Sequence, residues 1–293
     1  MPVGSQMFPD KFTLSIAEPI NYAVNWLVLH YGDVFEAFST GILWVLLGLE
    51  SALRGSPWWY VLFLIGAITY IATERLAQSL ALIFIAFLMG VLGLWDQAMQ
   101  TLALMLIAIV LSVIIGLPCG VALSKYNRLR MIMLPILDAM QTLPSFVYLI
   151  PALMLFGLGK VPAIIATVIY AVVPVIRLTD LGIRQVDQEV LEAARAFGTG
   201  SFQRLFGVEL PMALPTIMAG INQTTMMALA MVVLASMIGA RGLGEEVLLG
   251  IQRLDVGRGL AAGLAIVALA IVLDRITQGY AKRVQSMRRG GET

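Results

Sequence analysis

The sequence predicts an all-α polytopic membrane protein, and three observations carry that prediction. The 293 residues are 59% hydrophobic and 13% charged, with a mean hydropathy of +0.89, whereas soluble domains carry about 25% charged residues. The apolar stretches recur at the length of about 20 residues that a helix needs to cross a hydrocarbon core about 30 Å thick. None alternates apolar and polar residues in the manner of a membrane β-barrel.

Each element follows in turn. Residues 1–32 are mixed in character. Residues 33–53 place apolar side chains at helical spacing but include Glu36 and Glu50, and their uninterrupted apolar run, 41–49, is too short to cross. Within an N-terminal unit 1–56, this segment reads as an amphipathic helix lying at the interface, with a true crossing as the alternative. Pro57-Trp58-Trp59-Tyr60 opens the first span, which runs to Thr73 and carries its aromatic rings where headgroup anchors sit. With a second span at 76–94 it makes a peripheral scaffold pair, 57–94. A core unit, 95–278, holds spans at 97–123, 131–156, 161–177, 212–239 and 258–277, and a basic tail covers 279–293. Pro135, Pro144 and Pro151 kink or break the 131–156 span, where freed carbonyls are tolerated if they line a cavity.

Short basic loops orient such a chain with their charges in the cytoplasm. Lys125, Arg128 and Arg130 form one basic cluster, and Lys282, Arg283, Arg288 and Arg289 form another in the tail. Placing both inside also places the polar island 178–210 inside. The first 53 residues hold Lys11 against Asp10, Glu18, Asp33, Glu36 and Glu50, which favours an outside N-terminus and seven spans. If 33–53 crosses, the count is eight and the N-terminus lies inside.

The island is the one long charged, helix-forming stretch in an apolar chain. Asp187 suits a helix cap, because its side-chain oxygen accepts from the orphan N–H groups of a first turn. Glu189 and Glu192 sit where the helix dipole favours acids. Ala193, Ala194 and Ala196 add helix propensity and leave a low surface, and Gly198 stops the helix. Ser201 is the expected cap of a second short helix carrying Phe202, Leu205 and Phe206. Leu210-Pro211 returns the chain to the membrane, with proline tolerated near a helix start. Small helices held at the membrane face in this way fit a groove on a soluble partner.

These residues resemble the cytoplasmic signature of ABC-importer permeases: Glu-Ala-Ala, three residues, Gly, nine residues, then Ile-x-Leu-Pro. The match falls on Glu192, Ala193, Ala194, Gly198, Leu210 and Pro211, with Val208 in place of Ile. A finer resemblance over 95–278 is to the permease subunits of glycine betaine/proline importers. It rests on Leu137-Asp138-Ala139-Met140-Gln141-Thr142, Phe146-Val147-Tyr148-Leu149 and Met218-Ala219-Gly220-Ile221-Asn222-Gln223-Thr224. Ala235-Ser236-Met237-Ile238, Arg253-Leu254-Asp255 and Leu273-Asp274-Arg275 continue it. The first 60 residues resemble that family only loosely.

The resemblance implies a type I ABC importer permease fold, multi-pass in a bacterial cytoplasmic membrane. Its island would be the coupling helix on which a separate ATPase acts. The implied partners are a second copy of the chain, two ATP-binding subunits and an external substrate-binding protein. The implied cargo is glycine betaine, proline betaine, choline or proline. ATP and Mg belong to the partner, and this chain needs no cofactor of its own. An importer of another small solute, such as an amino acid or sulfonate, is the nearest alternative. An ion-coupled carrier would instead show an inverted repeat and mid-membrane charge pairs. A membrane scaffold would not need the 192–211 spacing.

The remaining features have two readings each. Gly157-Leu158-Gly159-Lys160 is not a phosphate loop, because Met154 stands where the first Gly belongs and Val161 follows the Lys. Asp138, several residues into a span, is either part of the translocation path or a gate salt bridge, or else a packing partner of a loop arginine near the cytoplasmic face, with Arg128 and Arg130 close in depth. Asp274 and Arg275 read the same way. Gln141, Thr142, Asn222, Gln223, Thr224 and Thr225 suit a passage for a zwitterion, and they equally suit interhelical hydrogen bonds. Met226, Met227, Met231 and Met237 read as pliable packing, and Gly259 to Gly263 as a close-packing face. The stretch from Arg241 to Arg258 is either a contact for the binding protein or a solvated loop. A net charge of +1 offers nucleic acid no field. The lone Cys119 reads as a small hydrophobe, and the lone His30 excludes a multi-histidine metal site built from this chain alone.

Overall fold

A computed structural model describes residues 17–289, with side chains described as far as residue 283. The charges of Asp10, Lys11, Arg288 and Arg289 lie outside that description. The described chain is helical: α1 (Ala17–Gly55), α2 (Trp58–Thr73), α3 (Leu76–Val91), α4 (Trp95–Lys125), α5 (Asn127–Thr142) and α6 (Leu149–Phe156) come first. They are followed by α7 (Lys160–Arg184), α8 (Gln188–Ala196), α9 (Ser201–Arg204), α10 (Leu210–Ser236), α11 (Leu243–Arg253) and α12 (Val256–Arg289).

The centre of the bundle is α4, α7 and α10, and small residues set how closely they approach. A Cβ on Gly120 of α4 would stand 2.5 Å from the Thr179 Cβ and 2.7 Å from the Ile176 carbonyl oxygen of α7. Gly182 lies under Thr216, and Gly220 under the Pro174 carbonyl, so α7 and α10 meet in the same way. One apolar cluster ties α1 and α6 to this centre through Ile42, Leu46, Leu149 and Ile164. A second ties the α2–α3 hairpin and α12 to it through Leu62, Met89, Met99 and Leu269.

By length and composition, α1, α4, α7, α10 with its preceding turns, and α12 can each cross a membrane. The bent pair of α5 and α6 makes a sixth. Three of the segments expected from the sequence differ in form from that expectation. Residues 33–53 belong to one helix of 39 residues, kinked at Tyr31, that is apolar and long enough to cross. Glu50 does not interrupt it, because its carboxylate is buried and accepts from Arg54 and Lys160. α2 and α3 are shorter apolar helices of 16 residues each, or about 24 Å at 1.5 Å per residue. The expected single span 131–156 is two helices bent by 109°. Pro144 breaks it: the residue before a proline is pushed out of the helical region, and Leu143 is extended at φ −65°, ψ 137°. Pro135 and Pro151 sit inside α5 and α6 without ending them.

Candidate functional site

The polar island folds as α8, α9 and a π-type turn, Leu205–Glu209, that leads into α10. Asp187 caps α8, its Oδ1 accepting from the Glu189 N–H at 2.9 Å. Gly198 ends it at φ +77°, where Thr199 turns back and both its N–H and its Oγ1 donate to the Ala194 carbonyl. The expected cap on α9 is corrected: Gly200, not Ser201, begins it, and the Gln203 Oε1 accepts from the Gly200 N–H at 3.1 Å. In the π turn the Leu210 N–H reaches back to the Leu205 carbonyl. That wider step stands directly before Pro211, which has no N–H to continue the ladder.

Glu192, Ala193 and Gly198 are exposed on this loop, and Ala194 is half-buried. Leu210 and Pro211 are half-buried at the membrane end, where Leu210 packs on Ile183, Ala213 and Ile217. Leu191 is the buried side chain of α8. The loop also carries three aromatic rings that the bundle does not cover. Phe197 is 89% and Phe202 74% exposed, and Phe206 lies against Phe202 with the rings tilted by 43° and their centroids 4.5 Å apart.

Two charged knots fix the loop to the bundle, and the sequence reading missed both. Glu209, only 3% exposed, accepts from Lys125 at the end of α4 and from Arg204 Nε at 3.0 Å. Asp180, 2% exposed, accepts from Arg130 on α5 and from Arg184 on its own helix, each at 2.8 Å. Arg184 also donates to the Leu123 carbonyl and to Asn127 Oδ1. The only signal for Glu209 was an acid inside Val208-Glu209-Leu210-Pro211, flanked by apolar residues.

The other expected residues do not converge. Asp138 is exposed, and its partner is Arg177 of α7 rather than Arg128 or Arg130. Gln141 and Thr142 are exposed at the end of α5, and Thr142 Oγ1 donates to the Ala139 carbonyl. On α10, successive residues turn by 100° and so face different neighbours. Asn222 accepts from Thr277 of α12, Gln223 is exposed, and the buried Thr224 donates to the Ala171 carbonyl of α7 at 2.6 Å. Asp274 accepts from Gln278 within α12, and not from a loop arginine. Met231 is fully buried, whereas Met226 and Met237 are exposed. Gly259 packs against Gly250 of α11, but Gly263 faces open space.

At the opposite end, 243–253 is a helix and not a loop. The Leu243 N–H donates to Thr101 Oγ1, and Arg258 and Gln97 both donate to Glu246. The hydrogen bond from Arg258 holds the Glu246 carboxyl below the usual carboxylate range, against the opposing effect of burial. Gly157-Leu158-Gly159-Lys160 is a structural turn here. Gly159 N–H donates to the Ile238 carbonyl, and Lys160 Nζ to Glu50.

Residues 108–286 match the family described as binding-protein-dependent transport system inner membrane component. The glycine betaine/proline betaine transport system permease protein ProW of Escherichia coli (strain K12) is 45% identical over 267 residues, 91% of this chain and 75% of that one. The glycine betaine transport system permease protein OpuAB of Bacillus subtilis (strain 168) is 42% identical over 274 residues, 93% and 96% of the two chains. Among solved structures, a chain of the inward-facing MetNI methionine ABC transporter superposes with a TM-score of 0.55 at 22% identity. It covers 66% of this chain and 95% of its own. That likeness shows the all-helical permease fold. The chain belongs to the binding-protein-dependent transport permeases, the multi-pass inner-membrane components of ABC importers.

Proposed function

We propose that this permease imports glycine betaine or a close quaternary-amine or zwitterionic relative, proline betaine, choline or proline. The 45% identity to a glycine betaine/proline betaine permease over nine-tenths of the chain carries this reading. Glu192, Ala193, Ala194 and Gly198 form the contact with a separate ATPase, and Leu210-Pro211 is the joint through which its movement reaches α10. The exposed Phe197 and Phe202 support this, since two uncovered aromatic rings on a capped helical loop are the makings of an interface anchor. ATP and Mg act in the partner.

Two copies of the chain form the working pathway. Asp138, Gln141 and Gln223 are exposed on faces of α5 and α10 that the single chain leaves uncovered, which supports a passage completed by the second copy. An external binding protein delivers the solute to the end that carries α11. The end that carries α8 and α9 is cytoplasmic, and eight crossings with an inside N-terminus fit the chain. The α2–α3 hairpin starts beside α4's outer end, with Trp58 near Trp95, and its turn at Glu74 pairs with Arg283 at the inner end of α12.

The test is uptake by proteoliposomes that hold this permease with an ATPase and a binding protein from the same cell. ATP-dependent accumulation of labelled glycine betaine, competed by proline betaine, is the expected result. Accumulation of an amino acid or sulfonate in its place would sink the betaine assignment. Uptake driven by an ion gradient without ATP would sink the importer assignment.

A further inference from the structure

At the end of the bundle that carries α8 and α9, α12 and the α2–α3 turn enclose a cavity of about 210 Å³. Its shape comes from two backbone features. Glu74 closes α2 in the left-handed conformation, at φ +55°. Gly279 brings α12 against that turn, where a Cβ would stand 2.6 Å from Thr73 Cγ2 and 3.2 Å from the Ala72 carbonyl oxygen. Arg283 then reaches across to Glu74 and to the Ile71 carbonyl, fastening the two elements.

The lining is strongly cationic. Arg75, Arg275, Lys282 and Arg283 border the cavity, with Glu74 as its one acid, a net charge of +3. Glu74 is taken up by Arg283. No acid pairs with Arg75, Arg275 or Lys282 among the described residues. Three cations bordering one small cavity repel one another, so the site favours an anion. Immediately outside, Ile71, Leu76 and Tyr280 are exposed apolar side chains on the flanks of the same three helices. A charged cavity opening onto an apolar flank matches an amphiphile with a phosphate head and a hydrocarbon tail. Basic clefts between spanning helices at a cytoplasmic face hold such headgroups.

We propose that this cavity binds a phosphate ester, the headgroup of an anionic phospholipid such as phosphatidylglycerol. The phosphate lies between Arg275, Lys282 and Arg75, and the acyl chains lie along α2 and α3. The proposal rests on the orientation given above. Lipid retention is counted without any uptake measurement, so the two readings fail separately.

The test uses the permease–ATPase complex in phosphatidylcholine nanodiscs with rising fractions of phosphatidylglycerol, and counts retained lipid by native mass spectrometry. R275Q/K282Q should weaken phosphatidylglycerol retention about 30-fold, and R75Q alone about 5-fold, from the typical contribution of a cation near a headgroup. R128Q removes an exposed charge at the same end but outside the cavity, and should leave retention unchanged. If R275Q/K282Q does not assemble, R75Q decides. Retention equal to the parent in the cavity variants overturns the site, as does an equal loss in R128Q. Displacement of the bound lipid by millimolar inorganic phosphate assigns the site to the free anion and overturns the lipid assignment.

Discussion

Gly198 shows how one residue makes the loop what it is. Nothing lies within 4 Å of a Cβ built there, so side-chain size is not what restricts the position. Its φ of +77° is the restriction, costing about 1–2 kcal/mol for a residue with a Cβ and less for Asn. Gly198→Val should therefore uncouple ATP hydrolysis from uptake while the protein still inserts, and Gly198→Asn should retain most coupling. Equal activity of the two variants, measured as betaine moved per ATP hydrolysed, would sink the backbone argument. Glu209 tests the other half of the site. Glu209→Ala leaves Lys125 and Arg204 facing each other beside a buried hole, a loss of about 1–3 kcal/mol, read as a lower melting temperature of the detergent-solubilised protein. A melting temperature matching the parent would mean the knot does not hold the loop. The sequence disclosed the Asp187 cap and the Gly198 stop because both are local, settled within a few residues. It did not disclose the knot, because Lys125 and Glu209 are 84 residues apart and only the packing of α4 on α10 joins them.

Helices repeat the lesson on a larger scale. Periodicity marked each apolar segment, but it could not say which small residues are used. Gly120 and Gly263 look alike in the sequence, yet one lies against α7 and the other faces open space. Gly120→Ala should destabilise by about 1–3 kcal/mol through overpacking. Gly263→Ala should be neutral or slightly stabilising, since alanine is the better helix former. Thermal unfolding of the two variants in one detergent checks this, and equal shifts would contradict the close approach of α4 and α7. Similarly, three prolines in 131–156 gave no ranking. Only the structure shows the break at Pro144, where the chain turns by 109° between α5 and α6. α11 carries a pH signature of its own. Arg258 lowers the Glu246 carboxyl in the folded protein, so its stabilisation is complete above the unfolded carboxylate value of about 4.3 and fades as pH falls through the lowered folded value. Amide protection of α11, corrected for intrinsic exchange, should hold from pH 8 to 5 and decline below about 4. Glu246→Gln should flatten that decline, and an unchanged decline in this variant would assign the acid sensitivity to another group.

For the whole molecule the decisive quantity is the number of crossings, because it determines which side each end occupies. α4 runs from the α11 end, where Thr101 meets Leu243, to the loop end, where Lys125 meets Glu209. α1 is fixed at the α11 end by Arg54 on Asp96 and by Glu50 on Lys160. Its 39 residues, kinked at Tyr31, measure about 58 Å along their contour at 1.5 Å per residue, more than the thickness of the hydrocarbon core. If α1 crosses from that anchored end, Glu18 lies on the same side as α8. The poverty of positive charge in the first 53 residues, where Lys11 is the one basic residue, favours the opposite side. Cysteines introduced singly into a Cys119→Ala background decide between the two. Glu18→Cys, Arg128→Cys and Glu192→Cys should react with an impermeant maleimide only in inside-out vesicles, and Gln252→Cys only in intact cells. Labelling of Glu18→Cys from outside would restore an odd number of crossings and reduce α1 to a helix lying along the surface. Labelling of Arg128→Cys from outside would invert the molecule, and with it every assignment of the charged loop to the ATPase side.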